Sequence, residues 1–154
     1  MANFTFTGLK LTGEGRKYLA ELNKLKEMEI HVGFQAGEVT EENGADLVDV
    51  AAFNEFGTSD IPERPFMRQS WENHEPELKQ ICQQANNVIA QGGTAEAACK
   101  MIGVAGVGII QEEIGEGSFA PNAPSTIRKK GSDHPLIDTG RMRQSVKYVV
   151  KKGG

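Results

Sequence analysis

Histidine is the side chain most often recruited for acid–base work and metal binding near neutral pH, and the sequence holds three: His31, His74 and His134. They stand singly, with no HxxxH or HExxH spacing to set two imidazoles on one zinc ion. Cys82 and Cys99 fall in stretches that read as helices, with no second pair or histidine near them in sequence, and are expected to be buried, reduced thiols. The cluster GVAGVG at 103–108 offers the glycines of a phosphate loop in the wrong arrangement: G-x-x-G-x-G, with no Lys-Ser/Thr after it, inside a helical pattern. Each glycine there costs a helix about 1 kcal/mol relative to alanine, so the cluster is read as a place where another backbone comes close. Glu112, Glu113 and Glu116 could supply an acid and a base, but adjacent residues on a helix do not face one another, and they read as a solvated helix end. The expectation is a protein that is not an enzyme, with no catalytic residue, no cofactor and no metal.

The elements around these residues are those of an ordinary folded chain. At 154 residues with 38% hydrophobic side chains, a single domain over 1–154 with one buried core is expected. No run is apolar enough for a membrane span, and MANFTFTGLKLTG lacks the basic start and apolar centre of a signal peptide, so synthesis in a cytoplasm is expected. Phe4 and Phe6, then Leu9 and Leu11 past Gly8, predict a strand near 3–11 that bends at the glycine. Thr12 caps a helix with the apolar stripe Tyr18, Leu19, Leu22 and Leu25. Further strands are predicted at 29–34 and 145–151, from the alternation of Ile30, Val32 and Phe34 and of Val146, Tyr148 and Val150. The helix DLVDVAAFNEF stops at Gly57, and two long helices, about 66–91 with a restart near Pro76 and about 94–115, form an antiparallel pair across Gly92 and Gly93. The predicted fold class is α+β: a small antiparallel sheet packed on the long helix pair, with a long extended Pro-rich arm at 116–136.

The stretch FNEFGTSDIPERPFMRQSW, residues 53–71, gathers Phe53, Phe56, Phe66 and Trp71, four of the chain's ten aromatics, beside two prolines and two arginines. Pro62 and Pro65 fix two φ angles and push Ile61 and Arg64 out of the helical region. The segment before Phe66 is therefore a stiff strap that presents Arg64 and Phe66 either to the chain's own core or to a neighbouring molecule. Charge is unevenly divided: from Arg128 onward eight Lys/Arg stand against two Asp, while the first 127 residues carry nine against nineteen acids. A basic tail on an acidic body suits an anionic partner, or copies that meet head to tail. Residues 121–143 contain no aromatic side chain to stack on bases, so the run Arg128, Lys129 and Lys130 suits acidic protein surface or the backbone of passing DNA better than sequence-specific reading.

Two segments, NEFGTSDIPERPFMRQS at 54–70 and APNAPSTIRKKGSDHPLIDTGRMRQSVKYVV at 120–150, carry NE-x-G, I-P-x-R-P-F and P-L-x-D-T-G-x-(L/M)-x-x-S in order, after V-G-F at 32–34. From about residue 29 to 150 the chain resembles the HK97 gp10-like family of neck and tail-completion proteins of tailed bacteriophages, akin to virion morphogenesis and minor tail proteins. The resemblance implies a structural virion protein made in the host bacterial cytoplasm. It would form a ring, commonly sixfold, at the head–tail connector or tail top, join head to tail and line the path by which DNA leaves the head. The partners implied are further copies of itself, a head-closure or adaptor protein, and a tail-tube or terminator protein, with no membrane. On this reading Glu55, Arg64, Phe66, Arg68, Trp71, Arg128, Lys129, Lys130, Asp138 and Arg141 are expected to meet a neighbouring subunit or partner. Arg64 and Arg68 would pair with its acids while Phe66 and Trp71 fill the joint. The alternative is a DNA-binding or regulatory phage protein that uses the basic C-terminal segment.

Overall fold

The computed structural model describes residues 10–37, 44–124, 126, 128 and 140–153. Among these, the elements run α1 (Gly13–Lys26), β1 (Met28–Gly33), α2 (Leu47–Phe56), α3 (Phe66–Asn73), α4 (Glu75–Ala90), α5 (Ala95–Glu116), α6 (Arg141–Gln144) and β2 (Lys147–Lys152). The class is α+β, with β1 and β2 forming one antiparallel pair. No helix among the described residues is long and apolar enough to cross a membrane.

The helix starts follow local chemistry. Thr12 Oγ1 accepts from the Gly15 N–H at 3.0 Å, Asp46 from Val48 at 3.0 Å, and Thr94 Oγ1 from Ala97 at 3.1 Å, each satisfying a donor that the first turn leaves open. A carboxylate from elsewhere reinforces the last of these: the buried Glu21 on α1 accepts from the Ala95 N–H at 2.8 Å and from Lys24, and these two bonds hold its pKa below the ordinary value. Gly57 ends α2 at φ 72° and donates back to the Phe53 carbonyl at 2.9 Å. A side chain there would stand 3.0 Å from the backbone N of Glu63, so the strap folds back directly over the helix end.

α5 is the spine. It packs against α1, α3, α4, α6 and both strands, which is why it is buried on more than one side. Its lower half meets Leu47, Phe66, Met142 and Val146 through Ile110 and Ile114, with Phe34 edge-on to Phe66 at 6.1 Å. Its upper half meets Ala85 and Ile89 of α4 through Ala98, flanked by Tyr18, Leu22 and Leu25 of α1. A two-stranded ribbon is marginal on its own, and β1–β2, paired from Met28 with Lys152 to Gly33 with Lys147, leans on α5 at its two bare positions. A Cβ on Gly103 would lie 2.3 Å from the Tyr148 ring, and one on Gly106 3.1 Å from Val32. The glycine cluster thus admits the side chains of a sheet, where a close backbone was expected.

Other differences have local causes. Leu19 is 44% exposed, because the α1 stripe that packs runs through Tyr18, Leu22 and Leu25. Cys99 is buried, but Cys82 is exposed: the stripe of α4 passes through Ile81, Ala85 and Ile89, which leaves Cys82 on its flank. In the arm, Pro124, Thr126 and Arg128 are helical, not extended; Pro124 lacks the N–H that a first turn leaves unused, and Thr126 N–H donates to Ala123 O at 2.9 Å. Lys10 and Leu11 lie outside any strand, and the rest of the strand expected at 3–11 falls outside the described residues, as does the arm from 129 to 136.

The glycines give a paired prediction. Gly103→Ala forces the Tyr148 ring away and lowers stability by about 1–3 kcal/mol, whereas Gly108→Ala, with nothing among the described residues within 4 Å of the added carbon, raises it by up to about 1 kcal/mol. Urea unfolding of the two variants checks this, and shifts of the same sign would refute it.

Candidate functional site

The strap and the end of α2 converge on a pair of buried charges, Glu55 and Arg64, each 6% exposed. α3 begins after Pro65, which offers no side-chain cap. The carboxylate of Glu55 does that work from twelve residues away: it accepts from the Met67 N–H at 2.8 Å and the Arg68 N–H at 3.3 Å, where the helix dipole also favours negative charge. Arg68 closes the arrangement, donating Nε to Glu55 at 3.1 Å, one guanidinium nitrogen to the Glu55 carbonyl at 3.3 Å, and that same nitrogen to the Glu63 carboxylate.

Arg64 is held differently: among the described residues its hydrogen-bond acceptors include no carboxylate. Its Nε donates to Ala120 O at 2.8 Å, Nη1 to Asn54 Oδ1 at 3.2 Å, and Nη2 to Pro121 O at 3.3 Å and Asn122 Oδ1 at 3.2 Å. Burial pushes the guanidinium pKa down, but arginine keeps its charge in proteins, so these oxygens must replace its water. Asn54 is fixed in turn, its Nδ2 donating to Val50 O at 2.9 Å and its carbonyl accepting from the Arg64 N–H at 2.6 Å. One side chain therefore ties α2, the strap and the root of the arm, residues 120–122, into a single clasp.

Of the two orientations the sequence leaves open for Arg64 and Phe66, both side chains take the inward one: Phe66 is fully buried in the lower core. Arg68 is half-exposed and paired within its own chain. Trp71 is 37% exposed, with its ring edge beside Gly106. Arg128 is exposed on the helical turn after Pro124, and Arg141 opens α6 half-buried. Lys129, Lys130 and Asp138 lie outside the described residues.

A second polar cluster was not visible in the residue spacing. His74, at the break between α3 and α4, places Nδ1 3.0 Å from Glu77 and Nε2 3.6 Å from Glu113, which also accepts from Asn73 Nδ2 at 3.1 Å. Glu113 is 5% exposed and so is no solvated helix end. The signal was its phase, since it follows Gly106, Ile109 and Ile110 on the buried side of α5. No group of three or more His, Cys, Asp or Glu suited to hold a metal ion occurs among the described residues. No family model, curated protein or solved structure matches the chain.

Hydrogen bonding to Glu77, with the charges of Glu112, Glu77 and Glu113, raises the His74 pKa above 6.5, burial opposing. The folded state then binds the proton more tightly than the unfolded one, so this contribution is complete below 6.5 and fades as pH rises through the folded value. The urea midpoint of the wild type should fall between about pH 5.5 and about pH 8, the span in which histidine titrates, and His74→Gln should flatten that change. An equal fall in both proteins would remove His74 as the cause.

Proposed function

We propose that the protein is a structural subunit of a tailed-bacteriophage neck, assembled as a ring at the head–tail junction or the top of the tail. The observation that supports this reading is the clasp itself. The two segments that carry the family resemblance are far apart in sequence, yet Asn54, Glu55, Gly57, Arg64 and Phe66 of the first form one unit that grips Ala120, Pro121 and Asn122 of the second. The residues of the NE-x-G and I-P-x-R-P-F stations are thus those that hold the root of the arm, residues 120–122, against the body.

In such a subunit the body and the arm have separate tasks. The body, built on α5, keeps its shape, and the clasp sets the origin and direction of the chain beyond residue 122. Arg128, Lys129 and Lys130 then reach toward the acidic surface of an adjoining ring or tail component, so that basic arm meets acidic body from one molecule to the next. Glu55 and Arg64 act inside the subunit as positioning groups, and no chemical step is asked of them.

Light scattering on the purified protein tests this reading against its alternative. A neck subunit gives one defined closed oligomer, sixfold on the family's pattern, and does not retain duplex DNA at physiological salt. A monomer whose DNA retention falls steeply with salt would instead favour the nucleic-acid-binding reading.

A further inference from the structure

α3 is held unequally at its two ends. At its start Phe66 is fully buried, the Glu55 carboxylate caps the first turn, and the buried Ser70 hydroxyl donates back to the Phe66 carbonyl. Past Ser70 the helix turns outward, and Trp71, Glu72 and Asn73 are exposed. This last turn reaches α5 through the edge of the Trp71 ring beside Gly106 and through Asn73 Nδ2, which donates to the buried Glu113 at 3.1 Å. His74 then serves both as the C-cap of α3 and as the N-cap of α4, at φ −114° and ψ 18°, and its side chain caps no N–H of α4. Pro76 follows in the first turn of α4 and has no N–H to give. A short outer turn with few buried side chains and an uncapped break behind it has the makings of a hinge.

The His74 ring spans that break. Nδ1 lies 3.0 Å from Glu77 of α4 and Nε2 3.6 Å from Glu113 of α5, Glu112 of α5 adds its charge from farther off, and Asn73 is the polar neighbour from α3. Among the described residues the charges that act on the ring are all carboxylates. Only the imidazolium carries an N–H on both nitrogens; a neutral ring donates from one and turns a lone pair toward a carboxylate with the other. Whichever nitrogen gives up its proton, Glu113 loses its counter-charge. At 5% exposure it would be left with the Asn73 amide alone, and a buried carboxylate without a cation is costly.

We infer that the His74 proton latches a hinge between α3 and α4: with it the last turn of α3 lies against α5, and without it that turn swings out while Phe66 and the Glu55 cap keep the first turn in place. Opening lets water reach Glu113 and carries Trp71 away from Gly106. The folded pKa of His74 stands above 6.5, so the latch is closed below 6.5 and opens as pH rises through the folded value. The device is independent of the ring reading and goes beyond a general loss of stability, because it places the loss in one turn.

Trp71 is the chain's only tryptophan and reports on this turn directly. Its emission maximum and the amide hydrogen exchange of the full chain, corrected for the intrinsic pH dependence of exchange, are followed from about pH 5.5 to about pH 8 in the wild type, His74→Gln and Glu113→Gln. The wild-type emission should shift to the red as pH rises, with faster exchange confined to residues 71–77. His74→Gln should show the high-pH emission and exchange throughout, and Glu113→Gln the low-pH ones throughout, since its buried charge is gone although His74 still titrates. A wild-type emission that does not move, a shift of wild-type size in either variant, or faster exchange spread along α5 as well overturns the hinge. Should a variant fail to fold by circular dichroism, the wild-type emission and exchange decide alone.

Discussion

The arrangement of this protein depends on how near a two-stranded ribbon can come to one helix. β1 and β2 have no third strand among the described residues, so their inner faces must be covered by α5. At positions 103 and 106 α5 carries no side chain, and the Tyr148 ring and Val32 take up that space. This close seating fixes the ribbon relative to the spine, which in turn sets where Val146 enters the lower core. The helix accepts the cost of glycine because the ribbon would otherwise stand off and expose its apolar face.

Three buried charges then join parts of the chain that local sequence cannot join. Glu21 caps α5 from α1, Glu55 caps α3 from α2, and Arg64 binds the arm root from the strap. In each case some or all of the partners are backbone N–H or C=O groups, whose positions depend on the fold being correct. A buried charge with fixed partners penalises every alternative packing, since it would be left uncompensated there. Such groups contribute less to net stability than to the choice of one arrangement.

Much of this was legible in the sequence because it is local. Thr12 and Thr94 cap where hydroxyls before an apolar stripe should, Gly57 stops a helix, and the alternation at 29–34 and 146–150 gives the two strands. What stayed hidden are pairings between distant residues. Nothing near Glu55 marks it as the cap of a helix twelve residues on, and His74 and Glu113 meet only because α3, α4 and α5 pack together. Glu113 shows the limit most clearly: its charge suggested solvent, while its phase on the helix placed it inside. Proline stiffness predicted the strap, but not that Arg64 would turn inward to neutral oxygens.

A rigid body, an arm rooted by Arg64 and an exposed aromatic face on α2 are what the proposed neck subunit would bring to assembly. Electron microscopy of phage particles labelled with a gold-conjugated antibody against this protein tests that proposal. A neck subunit gives label confined to a single level between head and tail on intact particles. Label along the tail shaft or over the capsid surface, or particles that carry none of the protein, would contradict it.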